Sequence, residues 1–378
     1  MQRAGRTLHE KHPSLLLART DITAYYEHID IDILFTDLMG LAIPSWSQDT
    51  LENFLRAFNG LSHAWGIPQG SDASGLLANL YLMPLDLEIA RLGHRHFRYS
   101  DDIYIFGDDW ITLREVLLKA NRLLRYRHLN LSGPKTKIMA GREIQAHFED
   151  KEKDAISYGI DIAAPWAPDA LRSFFDRISK EDPPNPRDLR FAFTQLLRIE
   201  DARAVDWLLA NMGEIPHVAR EALLYLSHFH MRRPELGDAV VDLLTNSKLT
   251  IYPYAEQHLL IYMIRNRVQG KRAIDAAWRL LLDKNKESFV REFAARYLGL
   301  NSSSGEAAGL RQEFQSEAHP RVRRAMLIAC YESRQCSESW LRVVSNSDPT
   351  IRFTADYLRS NPGEIPFPVV KRRYDNGA

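Results

Sequence analysis

The chain has 378 residues, 45% hydrophobic and 26% charged. This composition excludes a disordered or collagen-like protein and allows two or three domains of about 150 residues each. Lys plus Arg and Asp plus Glu are both 49, so no protein-wide basic field exists and a nucleic-acid site must be a local patch.

The two cysteines, Cys330 and Cys336, are too few for a disulfide framework or a structural zinc cluster. No run nears the ~18 apolar residues of a spanning helix, so a cytoplasmic protein with no membrane association is expected. The first ~160 residues mix short β-like runs and helices, and YYEHIDIDIL is one of the β-like runs. Leu15 to Ala18, followed by Asp21 and Ile22, reads as a buried strand ending in an acid. The stretch WGIPQGSDASGLLANLYLMPLDLEI concentrates Gly66, Gly70, Ser71, Ala73, Ser74 and Gly75. Small residues there let the backbone approach a bound nucleotide or base pair closely. The rest of that stretch predicts an amphipathic helix that Pro84 kinks or ends.

RYSDDIYIF, residues 98 to 106, predicts a hairpin with Asp101 and Asp102 at its tip. Adjacent carboxylates repel, and a divalent cation would remove that cost; a solvated turn is the alternative. Mg²⁺ takes one or two carboxylates plus phosphates and water, so Asp21 and Asp101 can together bridge two such ions. Two metals about 3.5 to 4 Å apart serve in-line phosphoryl displacement, and the chemistry indicated is nucleotidyl transfer. Thr112 to His128 predicts an amphipathic helix opened by a capping box of Thr112 and Glu115. His94 and His96, with no third ligand near, read as structural. Between 91 and 147 eleven Lys and Arg outnumber six Asp and Glu. With Arg122, Arg125 and Arg127 on one helix, that excess can follow a phosphate backbone or form a solvated face.

The proline-rich APWAP, 164 to 168, marks a boundary between an α+β half, 1–163, and an all-α half, 164–378. Five segments align in the second half, anchored at Pro216, Pro253, Ser288, Pro320 and Pro349 with spacings of 37, 35, 32 and 29. Arg291, Arg323 and Arg352 recur three positions after the anchor. The pattern resembles a HEAT-type helical repeat, in which neighbours stack into a solenoid; an irregular bundle is the alternative.

The first half resembles the palm of a reverse transcriptase of the group II intron, retron and abortive-infection lineage. DITAYYEHI matches the first palm motif, GIPQGSDASGLLANLYLMPLD the second, YSDD the metal-binding hairpin and LNLSGPKTKI the motif after it. The resemblance implies an α+β palm with an antiparallel sheet and helices, acting as an RNA-directed DNA polymerase. Asp21, Asp101 and Asp102 then hold Mg²⁺ (or Mn²⁺), with the carbonyl of Ile22 a further ligand. Tyr26 falls where the family places the aromatic gate against a ribose 2′-hydroxyl, which implies dNTPs as substrates. Gln69, with Gly70 beside it, matches the glutamine next to the incoming nucleotide, and Lys135 the lysine that approaches the triphosphate. Lys137 is a weaker candidate for that role, and a solvated loop lysine is the alternative reading of Lys135. An RNA or DNA template and primer are implied. Only twenty residues precede Asp21, where the family has a long fingers region, so an incomplete gene product or a reduced member is expected. A palm joined to helical repeats resembles defence-associated bacterial enzymes, some of which are template-independent or protein-primed. The repeats are then expected to support a homo-oligomer or hold nucleic acid or a protein partner. The rival expectation is an inactive palm serving as scaffold for recognition by the repeats.

Overall fold

The structure is a computed structural model that describes residues 1–61, 64–148, 150–245, 252–361, 363 and 365. The chain forms two compact units, 1–154 and 155–378. The division lies ahead of the APWAP segment because Ile156 already belongs to the core of the second unit.

The first unit is built on a four-stranded antiparallel sheet of order β2-β3-β1-β4, with β1 Leu16–Asp21, β2 Arg95–Tyr99, β3 Asp102–Gly107 and β4 Lys137–Met139. Side chains alternate across the pleat, so the sheet carries two cores. Ala18, Ile103 and Ile105 pack into one with Leu34 and Phe35 of α2 Ile31–Met39, Ala78 of α4 Asp72–Tyr81, Leu85 of α5 Met83–Arg91 and Leu113 of α6 Trp110–Tyr126. Leu17, Tyr104, Phe106 and Met139 pack into the other with Leu8 of α1 Gln2–Lys11 and Ile144 of α7 Arg142–Phe148. Burial on both faces explains the unbroken apolar run of β1, which a one-sided strand would not need. Helix α3, Ser45–Asn59, buries only Leu55.

Local chemistry overrides the pattern in two places. IDIDI is not a strand: helix α2 begins at its third residue, Ile31, because the Asp30 side chain caps it by accepting from the Ile33 amide at 3.0 Å. Helix α6 is capped by Asp109, which accepts from the Ile111 and Thr112 amides at 2.8 and 2.9 Å. Thr112 is therefore inside the helix, and its hydroxyl donates to the Asp109 carboxylate at 2.9 Å. Pro84 does separate two helices, sitting in the first turn of α5.

The described part of the second unit is helical, with one core running through it. Helices 186–198, 219–229, 253–265, 288–301, 320–332 and 352–360 each pack on the next. At three of the five anchors the position three residues on has a physical role. Glu256 accepts from Lys286 at 2.6 Å, Arg291 pairs with Glu317, and Arg323 pairs with Asp348 at 2.7 Å. Each ties a helix to the polar segment just before the following anchor. Arg352 is exposed and reaches Asp356 at 3.8 Å.

Arg291 and Glu317 are both 6% exposed, and Arg291 also donates to the Leu281 carbonyl at 2.9 Å. Breaking such a buried pair leaves one charge uncompensated, at a cost of about 3 to 5 kcal/mol. Arg291→Met should therefore unfold at markedly lower denaturant, and Arg291→Met with Glu317→Leu should recover most of the loss. A double variant no more stable than the single one would refute this account.

Candidate active site

The register places Asp21, the last residue of β1, directly opposite Asp102, the first of β3. Opposed residues of an antiparallel pair share a face, with Cβ atoms roughly 5 Å apart. Tyr99 pairs with Asp102 across the hairpin, leaving Ser100 and Asp101 as its two-residue turn, with Ser100 at φ 55. The Ile22 amide donates to the Asp101 carbonyl at 3.2 Å, which ties the turn to the end of β1. Asp21 and Asp102 are thus held side by side, with Asp101 next to them.

Their charge is met by cations. Lys135 donates to Asp21 Oδ2 at 2.9 Å, and Arg19 lies 3.6 Å from Asp102 Oδ1. The Lys135 ammonium is held above the ordinary lysine range, first by its hydrogen bond to Asp21 and then by the fields of Asp21, Asp101 and Asp102. All three acids act on that one ammonium. Its position is fixed from the backbone: the Ser132 amide donates to the Asp21 carbonyl at 2.7 Å, and the Thr20 and Thr136 hydroxyls bond at 2.7 Å. Lys137 turns elsewhere, to Glu143 at 3.3 Å.

Asp102 Oδ1 is buried without a hydrogen-bond partner. A carboxylate oxygen without a hydrogen bond, met only by Arg19 at 3.6 Å and beside a second carboxylate, suits a hard divalent cation, which needs one or two carboxylates and completes its shell with phosphate and water. Among the described residues no set of three or more His, Cys, Asp or Glu side chains forms a ready-made metal cage, and Asp21 is engaged by Lys135.

The hairpin is buttressed by Arg98, which sequence reading placed only in a general basic excess. Its side chain is 9% exposed and forks onto Asp86 at 2.6 and 2.9 Å. Its other nitrogen reaches Asn79 at 2.9 Å and the Ser100 carbonyl in the turn at 3.1 Å. One guanidinium so joins α4, α5 and the aspartate hairpin. His96 adds a contact to Asp86 at 3.3 Å, while His94 reaches the Phe106 carbonyl at 3.2 Å. Burial alone would raise the Asp86 carboxyl, but the bonds from Arg98 and His96 hold it below its ordinary value. Arg127 is likewise occupied, by Asp37 and the Tyr81 ring, while Arg122 and Arg125 are exposed.

Tyr26 opens a single 3₁₀ turn and is half-buried, with its ring edge-on to Tyr25 at 5.4 Å. The Ile67 amide donates to its carbonyl at 3.0 Å. Gly66 (φ +62) allows that approach, because a Cβ would lie 2.1 Å from the Tyr26 carbonyl oxygen. One of the small residues therefore serves packing of the chain on itself. Gln69 and Gly70 are exposed in the turn before α4, and no heavy atom lies within 4 Å of a Cβ built on Gly70 or Gly75.

Residues 2–167 match the family model described as reverse transcriptase (RNA-dependent DNA polymerase). This stretch is a reverse transcriptase domain. The family's activity is nucleotidyl transfer, as an RNA-directed DNA polymerase, with nucleotides and a nucleic-acid template and primer as its substrates. No curated protein matches the chain. Among the described residues no helix is long and apolar enough to cross a membrane.

Two measurements probe the reverse transcriptase domain. Lys135→Met removes the cation now balancing Asp21, so Mn²⁺ titrated by electron paramagnetic resonance should bind severalfold more tightly than to the wild type. Equal or weaker binding would show that the ammonium and the metal do not compete. The lowered Asp86 carboxyl stabilises the fold above its unfolded value of about 4, and that stabilisation is lost as pH falls through the folded value. Arg98→Met should therefore be less stable at neutral pH and show a flatter decline below about pH 4 in thermal unfolding.

Proposed function

We propose that the unit read from sequence as 1–163 transfers deoxynucleotides to a 3′-hydroxyl or a protein hydroxyl, in antiphage defence. Asp21, Asp101, Asp102 and the Ile22 carbonyl would hold Mg²⁺ or Mn²⁺. The observation that carries this reading is the Asp21–Asp102 register, with a carboxylate oxygen that no hydrogen bond satisfies and an ammonium in the field of all three acids. When bound, divalent ions supply charge neutralisation for the attacking and leaving oxygens.

The protein's own groups have separable tasks. Tyr26, on its rigid turn, faces the sugar and rejects a 2′-hydroxyl. Gln69 and Gly70 bind and orient the incoming nucleotide at the start of α4. Lys135, 59% exposed at its side chain, is long and free enough to turn from Asp21 to the triphosphate, where a cation balances the charge gathering on pyrophosphate. The second unit, read as 164–378, is proposed to be a HEAT-like repeat array. The three successive ion pairs at equivalent positions support that reading.

Asp101→Asn with Asp102→Asn should abolish incorporation of labelled dNTP and also the thermal stabilisation that Mg²⁺ with dNTP gives the wild type. Wild-type incorporation by the double variant would overturn the mechanism. Loss of stabilisation in both proteins alike would favour a palm that acts only as scaffold.

A further inference from the structure

The basic run on α6 is sorted by the fold in a way that the polymerase chemistry does not use. Leu113, Val116 and Leu124 turn the apolar face of this helix into the core, against Ile103 and Ile105. Arg127, just past its end, is taken up by Asp37. The opposite face carries Arg114, Leu118, Arg122 and Arg125 at steps of four, four and three, all exposed, and at that spacing they form one row. Lys119 lies three residues before Arg122 and Tyr126 four after it, so both flank the row, and Tyr126 is 84% exposed.

This row differs from an ordinary solvated face in having no counter-charge. Arg19, Arg56, Arg91, Arg98 and Arg127 of the same unit each meet a carboxylate. Among the described residues, no carboxylate pairs with Arg114, Lys119, Arg122 or Arg125. Glu115 is the one acid on the helix, and Asp109 is engaged in its cap. Glu88 of α5 is held by the fork of Arg91 at 2.7 and 2.8 Å, and Lys119 adds only its field. The Arg114 guanidinium lies 4.1 Å over the Trp110 ring. Stacked by its face, a guanidinium keeps the N–H groups of its rim for a phosphate.

We infer that the outer face of α6 holds the phosphates of a single-stranded nucleic acid, with Tyr126 stacking on a base. Arg114 to Arg125 cover about 16 Å of helix axis, long enough to follow several successive phosphates of one strand. Bases of any sequence stack on an exposed aromatic ring. An anionic membrane would require an apolar face to insert, and that of α6 is already in the core. An acidic peptide would answer the charge, but it has no planar group to make use of Tyr126. Asp21 and Asp102 stand on the sheet face of Leu17 and Tyr104, because side chains alternate, and α6 covers the other face. The row is therefore separate from the carboxylates and does not depend on catalysis there.

The test uses the full chain with fluorescein-labelled oligothymidylate and oligouridylate, each of twenty nucleotides, followed by anisotropy over a range of salt without added metal. Arg122→Gln with Arg125→Gln should weaken binding about tenfold and lower the salt slope by about 1.4, two phosphate contacts' worth on a single strand. The oligonucleotide that loses more affinity tells whether the strand held is DNA or RNA. Tyr126→Ala should weaken binding with little change in slope, and Tyr126→Phe should restore it. Both arginines are exposed and unpaired, so the double variant should keep the thermal midpoint of the wild type. Unchanged affinity and slope in that variant would overturn the inference, as would displacement of the oligonucleotide by polyglutamate at equal charge concentration or by phosphatidylglycerol vesicles. Photocrosslinking of the wild type to an oligonucleotide carrying 5-iododeoxyuridine separates this face from a strand bound at the carboxylates. Crosslinks at Tyr126 or Trp110 are expected, and a pattern with neither would refute the site.

Discussion

The antiparallel register of β1 on β3 is the constraint on which the first unit depends, because it sets Asp21 against Asp102. Like charges opposed on one sheet face are unfavourable, and the unit is arranged around that cost. Lys135 and Arg19 answer the two carboxylates. The Thr20–Thr136 bond and the Ser132 amide hold the lysine turn in place, while Arg98 grips the hairpin from behind. A sheet slipped by one residue would send one carboxylate to the opposite face and dissolve the site. The two cores on either side of the sheet hold the register, since each strand residue has a defined neighbour above or below.

The same electrostatic logic recurs in the helical unit with a different result. Glu256–Lys286, Arg291–Glu317 and Arg323–Asp348 are permanent pairs that fix each helix to the segment before the next anchor. The charge reverses between the first pair and the other two, so the geometry is retained while the residue type is not. Their ends are mostly enclosed, although Glu256 Oε2 has no hydrogen-bond partner. In the reverse transcriptase domain, by contrast, the cation over Asp21 is largely exposed. A closed pair is suited to structure, and an open one to exchanging its partner.

Motif order made much of the site legible. DITAYYEHI, YSDD and GPKTKI name Asp21, the hairpin acids and Lys135, and the fold brings these together although 80 residues separate Asp21 from Asp101. Other features were hidden because a contact decided them. IDIDI alternates as a strand would, but the cap on Asp30 and burial of Leu34 and Phe35 start a helix at Ile31. Arg98 looked like one more surface charge until Asp86, Asn79 and Ser100 closed on it. Gly66 looked like room for a ligand, and is needed by the backbone of Tyr26.

By itself the sequence determined the residue types, their order and the change from a mixed to a helical half, because these are written in local pattern and periodicity. Only the tertiary structure decided which carboxylate faces which, which cation answers it and which arginine is buried. Register and long-range packing set those relations, and neither is encoded in the spacing of residues along the chain.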